Sequence, residues 1–435
     1  MYRIETIQNK KGELSFQNDI NRQCEISFKI NPYSIILFLV WPFIAFIMAI
    51  RRFELPQNKA IVYLFMALFG FTFILGNEAM DSFRYAERLQ DTALLPFNQF
   101  YNIVIGLYST ETSLDIMMPL VNFIVSRFTT DHRILLGVWA LIFGYFYVKS
   151  IGNLHDIYST NQNINALFFI ILFIVMNPIS NINGYRMWTA AWVFFYGTYQ
   201  VVVNENKRFL FLSLTSVLFH FSFISASLVL LIYVFIGNRN ILYYILVIAS
   251  FIIPVITLTY LEPISNFLGE GIADKIASYA SSSTIEAVAR GRASAVARGA
   301  WYLYLPGLVL YYYMIFTFFY VKFKYFQFIR SKAMQNLFSF SLLFLAFSNF
   351  VAPIPSMGRF FTLFYLFALS FILMFFANRG SHKLHPLVIL GIIPLSLKLI
   401  IELRMLFDVL NPWLFGLLPI PFILNDASVY ELLFK

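Results

Sequence analysis

Residues Phe209 to Ile236 read FLFLSLTSVLFHFSFISASLVLLIYVFI. A membrane span takes about 20 apolar residues, so this run is long for one helix and short for two. Which it is sets the sidedness of all that follows. Lys and Arg gather on the cytoplasmic side of short loops. Arg51, Arg52 and Lys59 mark one such loop. Lys207 and Arg208 mark a second, Lys322, Lys324, Arg330 and Lys332 a third, and Arg379 and Lys383 a fourth. A single straight span over 209–236 would send the loop at 322–332 outward with its cations. A turn at His220-Phe221-Ser222 brings every basic loop to the inside, so a tight hairpin is the expected form. Backbone broken at membrane depth is tolerated only within protein or against a polar cavity, which directs attention to His220.

Composition agrees with a membrane setting. Of 435 residues, 60% are hydrophobic and 12% charged, and mean hydropathy is +0.72. A soluble domain carries roughly 25% charged residues. The chain reads as an all-α, polytopic integral membrane protein. Spans are expected near 33–50, 60–76, 133–151, 164–178, 186–203, 241–260, 301–321, 333–350, 359–377 and 385–404. With the hairpin, that makes about twelve transmembrane helices. A weaker apolar segment, 409–424, is broken by Pro412, Pro419 and Pro421. The 52 Phe and 26 Tyr suit lipid-facing and interfacial surface. The net charge of +9 follows from loop bias, and no nucleic-acid partner is expected. Cys24 stands alone, which excludes an internal disulfide and argues against a thiolate metal site. Neither a metal nor a cofactor is expected.

A polar tail, 1–32, precedes one membrane domain, 33–435. The tail lacks the basic-then-apolar pattern of a cleaved signal, so the run after it is expected to stay as a span. Four segments fall outside: 77–132, 179–186, 261–300 and 351–359. Segments 94–107 and 113–128 are apolar but interrupted by Pro96, Asp115, Pro119 and Asn122. They read as amphipathic helices on the outer interface. No internal repeat relates the two halves.

The polar groups on that side are the candidates for chemistry. The stretch Ile74–Arg88, ILGNEAMDSFRYAER, places Asp81, Arg84, Tyr85 and Arg88 at i, i+3, i+4 and i+7, on one helix face. Asp81 or Glu78 could serve as a carboxylate base beside a cation that holds an anion. The plainer alternative is an interfacial helix with solvated charges. Arg186 opens a span, flanked by Tyr185 and Trp188; a snorkelling anchor is its plainer alternative. His220, with Ser222 two residues on, sits deep in an apolar run, where ionisable groups are costly. Packing would be its bland role, and the lack of a second ligand at metal spacing argues against zinc. Arg359 follows PIPSMG, where Gly358 could let backbone approach closely. Arg290, Arg292 and Arg298 lie in IEAVARGRASAVARGA, on a solvated face or at a site. Lys398, Glu402 and Arg404 read as structural. Several guanidinium groups on one face suit a diphosphate, which they pair bidentately.

These residues, in this order, resemble the EpsG/Wzy-type family of bacterial polysaccharide repeat-unit polymerases. The matching positions are Asp81-Ser-Phe-Arg-Tyr85, Arg186-Met-Trp-Thr-Ala190, His220-Phe-Ser222, and Arg359 ahead of Phe360, Phe361 and Tyr365. They spread over roughly 60–377. Relatives often carry an Arg and a Gly just before the Asp. Here Gly76 is present, but no Arg lies between Lys59 and Arg84, so Arg84 is the candidate to supply that cation. The resemblance implies a GT-C-like glycosyltransferase at the outer face of the bacterial inner membrane. It would transfer a glycan from undecaprenyl diphosphate to a new lipid-linked repeat. Asp81, Glu78 or His220 would take the acceptor proton. Arg84, Arg186 and Arg359, with Arg290, Arg292 or Arg298, would hold the diphosphates, and Tyr85 and Ser222 would contact substrate. Donor and acceptor lipid-linked oligosaccharides and membrane lipid are the implied partners, and a chain-length regulator protein is a further candidate. An O-antigen ligase, a lipid-linked oligosaccharide flippase or another transporter, and a membrane acyltransferase are the rival readings.

Overall fold

The structure is a computed structural model. It describes residues 31–76, 80–105, 115–159, 162–252, 290–291, 293–294, 297–329, 331–379, 383–424 and 427–434. The expected tail and most of the expected outer segment 261–300 lie outside the described residues. Among these the fold is all helical. Six helical stretches are long and apolar enough to cross a membrane: His132–Ser159, Ile164–Val202, Leu305–Lys324, Lys332–Val351, Met357–Ala377 and Pro386–Val409. Shorter apolar helices, among them Pro42–Arg51, Phe223–Ile236 and Asn240–Ile252, account for much of the difference from the larger number expected.

Proline sets the breaks. The expected span 33–50 is two helices, Pro32–Val40 and Pro42–Arg51. Pro42 has no N–H and pushes Trp41 out of helical geometry. A later segment fills the kink: Trp41 Nε1 donates to Phe415 O at 2.8 Å, and Leu418 N donates to Val40 O at 3.1 Å. The weak segment at 409–424 is thus not one helix but a 3-10 turn, Pro412–Phe415, and a short helix, Ile420–Ile423. Asn177-Pro178 likewise breaks Ile164–Val202 into Ile164–Met176, a 3-10 turn Ile179–Gly184, and Tyr185–Val202.

Small residues set the closest approaches. The Pro56–Phe71 helix runs antiparallel to His132–Ser159. Gly70 lies against Leu136 and Ala140 at one end, and Lys59 meets Asp156 at 3.3 Å at the other. A Cβ on Gly70 would stand 2.4 Å from that of Ala140, so the backbones meet where no side chain intervenes. Aromatic edges and faces fill the middle. Phe318 stacks on Phe338 at 4.8 Å and meets Phe371 at 5.5 Å. Such pairs contribute about 0.5–1.5 kcal/mol each beyond area burial.

The 209–236 run is a hairpin, as its length and the basic loops require. Phe209–Leu214 and Ser216–Phe219 form one arm and Phe223–Ile236 the other. Phe209 packs on Tyr196, and Tyr233 Oη donates to Asn336 O at 3.1 Å. Asn336 in turn donates to Val202 O at 3.1 Å. Both arms therefore start and finish beside the last turns of Tyr185–Val202, and the turn lies at that helix's other end. The bundle thus has two ends, referred to by Lys59 and by Arg186.

Candidate active site

At the Arg186 end, three segments distant in sequence meet. The Asp81–Ala93 helix has Asp81 in its first turn, where the helix dipole favours negative charge. It buries Ser82, Tyr85, Ala86 and Leu89. Arg84 and Arg88 lie exposed at the margins of that buried stripe. Within the expected face the burial differs: Tyr85 points inward, while Arg84 pairs with Asp81 at the surface. An exposed pair of this kind contributes about 1 kcal/mol at most.

Tyr85 reaches the second segment. Its ring lies 4.2 Å from that of Tyr185, which stacks on Trp139 at 4.3 Å. Its hydroxyl accepts from Arg186 Nε at 3.1 Å. Burial raises the Tyr85 pKa above its ordinary value, while the Arg186 guanidinium pulls the other way. Asn183 Oδ1 accepts from Ser82 N at 3.2 Å and fixes the 3-10 turn to the start of the Asp81 helix. A Cβ on Gly184 would stand 3.7 Å from Asp81 Oδ2, so the carboxylate lies against that turn.

Asp115 joins the third segment. Its Oδ2 lies 2.8 Å from Arg186 Nη1, and its Oδ1 accepts from Phe221 N at 2.7 Å. The Asp115 side chain is 6% exposed and that of Arg186 24%. One carboxylate therefore sets both the guanidinium and the hairpin turn. At that turn His220 is extended and ends the helix. Its Nδ1 faces Ser222 Oγ at 2.8 Å and accepts from Ser222 N at 3.3 Å. Ser222 Oγ lies 3.9 Å from the sulfur of Met187, the neighbour of Arg186. Asp115 is the residue that sequence reasoning missed as a site. Its signal was present, a lone carboxylate in the apolar segment 113–128, but it was read only as an interruption.

Arg186 can still take a ligand. Two of its N–H groups are committed, to Tyr85 and Asp115, and the rest have no partner among the described residues. Ser82 Oγ, Trp139 Nε1 and Tyr185 Oη are buried nearby without a hydrogen bond among the described residues. Unpaired buried polar groups cost about 1–3 kcal/mol each.

Other expected residues stand apart. Arg359 ends the 3-10 turn Met357–Arg359, exposed and with no side-chain partner among the described residues. It adjoins Phe360, whose ring lies 5.5 Å from Phe223, so it shares this end of the bundle without touching Arg186. The close backbone approach expected at Gly358 is not there: a Cβ on it would meet nothing within 4 Å, and Ser356 holds the left-handed turn instead. Arg290 and Arg298 are exposed, and no described contact ties them to the cluster. Glu78 and Arg292 lie outside the described residues. Lys398 pairs with Glu402, and Arg404 pairs with Asp408.

The family model described as "EpsG family" matches residues 97–408. This chain belongs to the EpsG family. EpsG proteins are Wzy-type polysaccharide polymerases, and this one is a multi-pass membrane protein of that type. No curated protein and no solved structure matches it. The EpsG match takes in Asp115, Arg186, His220, Ser222 and Arg359. It begins after Asp81-Ser-Phe-Arg-Tyr85, so that stretch joins the site by geometry alone, through Tyr85 and Asn183.

Proposed function

We propose that the protein polymerises polysaccharide by transferring an undecaprenyl-diphosphate-linked glycan onto a fresh lipid-linked repeat unit. The reaction takes place at the outer face of the bacterial inner membrane, on a GT-C-like scaffold of about twelve spans. The observation that carries this reading is Arg186: held on two sides by Asp115 and Tyr85, half buried, with donors to spare. A preorganised guanidinium is what a departing lipid diphosphate needs.

In the reaction, the acceptor hydroxyl oxygen bonds to the anomeric carbon of the donor sugar. The bond from that carbon to the diphosphate oxygen breaks, and the diphosphate leaves with the electron pair. Asp81 takes the hydroxyl proton. It is preferred to His220, whose Nδ1 already accepts from Ser222, and Glu78 is the other carboxylate within reach in sequence. Arg186 offsets charge on the leaving diphosphate, with Arg84 and Arg359 at the margin for the second lipid carrier. Removing one such donor from developing charge costs on the order of 3 kcal/mol, about a hundredfold or more in rate.

The test is the glycan profile of a strain lacking the gene, complemented with wild type, Asp81→Asn, Arg186→Ala or His220→Ala at matched protein level. Collapse of the ladder to a single repeat, restored by wild type and not by Arg186→Ala, is expected. Polymer that forms but stays on its carrier would make the protein a ligase. Repeats trapped on the cytoplasmic leaflet would make it a flippase.

A further inference from the structure

The Lys59 end of the bundle holds a second cluster, which polymer synthesis does not use. The Leu305–Lys324 helix stops at Tyr325, and Lys324, Arg379 and His385 converge there. Arg379 Cζ lies 4.6 Å from the centre of the Tyr325 ring and Lys324 Nζ 5.9 Å from it. Lys324 Nζ also donates to Tyr320 Oη at 2.6 Å. Tyr325 Oη lies 3.0 Å from His385 Nε2. His385 Nδ1 accepts the Leu387 N–H at 3.2 Å, which puts the ring proton on Nε2, toward Tyr325.

The cluster is cationic and uncompensated. Among the described residues no carboxylate pairs with Lys324, Arg379 or His385. Arg379 Nη1 is buried and has no hydrogen-bond partner among the described residues. Burial pushes His385 below its ordinary pKa, and Arg379 and Lys324 push it the same way. A buried guanidinium N–H with nothing to donate to, beside a second cation, is the electrostatic form of an anion receptor.

Lys324 also closes one end of a shallow groove on the same helix, lined by Ile315, Phe316, Phe319, Tyr320 and Phe323. From Lys324 to Ile315 the helix rises about 14 Å at roughly 1.5 Å per residue. That is about half of a ~30 Å hydrocarbon core, the depth of one leaflet. An anion receptor at the mouth of an apolar groove one leaflet deep has the form of a phospholipid.

We infer that Lys324 and Arg379 bind the phosphate of an anionic glycerophospholipid, with one acyl chain lying along Ile315, Phe319 and Phe323. A zwitterionic headgroup fits less well, because its ammonium would meet two cations. The site does not depend on the polymerase reading, since no residue of the Arg186 cluster takes part.

Native mass spectrometry of the full chain in detergent tests this, with phosphatidylglycerol or phosphatidylcholine added at equal concentration. Phosphatidylglycerol should be retained about tenfold better. That preference should vanish in Lys324→Ala/Arg379→Ala. It should vanish as well in Phe323→Glu, an exposed position where a carboxylate repels the phosphate without disturbing the core. Equal retention of the two lipids, or a preference that survives in Phe323→Glu, overturns the inference. Displacement of phosphatidylglycerol by inorganic phosphate would overturn it in favour of a simple anion site. Tighter retention of a polyprenyl phosphate would overturn it in favour of a site for the glycan carrier.

Discussion

Asp115 answers two partners at once, and neither answer is replaceable by water. Removing one member of a buried ion pair costs about 3–5 kcal/mol, because the survivor stays charged and dry. Asp115→Ala should therefore lower thermal stability in detergent and free both Arg186 and the turn with His220 and Ser222. The double variant Asp115→Ala/Arg186→Leu should lose less than the two single losses together, by at least about 1 kcal/mol. Additive losses would mean that the two side chains do not pair. Tyr85→Phe is milder, since it removes only the hydroxyl that meets Arg186 Nε. It should cut polymer yield about tenfold while changing stability by no more than about 1 kcal/mol. Equal loss of yield and folded protein would make Tyr85 a packing residue alone. The sequence showed the Arg186 guanidinium but not what holds it. The partner lies 71 positions away, and a single carboxylate at that distance leaves no periodic signal.

The hairpin at 209–236 was legible because charge, not hydropathy, decided it. Its arms are too short to be recognised by length, yet only a turn keeps the basic loops together. Sidedness can be read directly with single cysteines in a Cys24→Ser background. Lys207→Cys and Arg239→Cys flank the hairpin and should label from the same side of the membrane, with Thr130→Cys labelling from the other. Labelling of 207 and 239 from opposite sides would mean one straight span. Packing of the first arm depends on Gly197. A Cβ there would stand 2.7 Å from Ser213 N, and Thr198 Oγ1 meets Ser213 Oγ at 2.9 Å beside it. Gly197→Ala forces the arm away, at about 1–3 kcal/mol, and a reduced yield of monodisperse protein on size-exclusion chromatography is expected. An unchanged yield and melting temperature would show that the arm yields freely.

Across the whole molecule, what the sequence disclosed was what repeats: apolar runs, basic loops, and polar residues gathered at one end. It disclosed less wherever a segment leaves regular geometry. The break at Trp41 was hidden inside a continuous apolar run, and the spacing that put Arg84 and Tyr85 on one face did not say that only Tyr85 is buried. The Trp41 break also has an order in time. Helix Pro32–Val40 leaves the ribosome well before the groups that close its kink: Phe415 O, which takes the Trp41 indole N–H, and Leu418 N, which meets Val40 O, come some 374 residues later. Until then the Val40 carbonyl faces lipid or water unpaired, and in lipid an unpaired backbone group costs several kcal/mol. Helix Pro32–Val40 must therefore wait for the segment that carries Phe415 and Leu418 to close its kink. A chain halted before residue 412 would be caught in that waiting state.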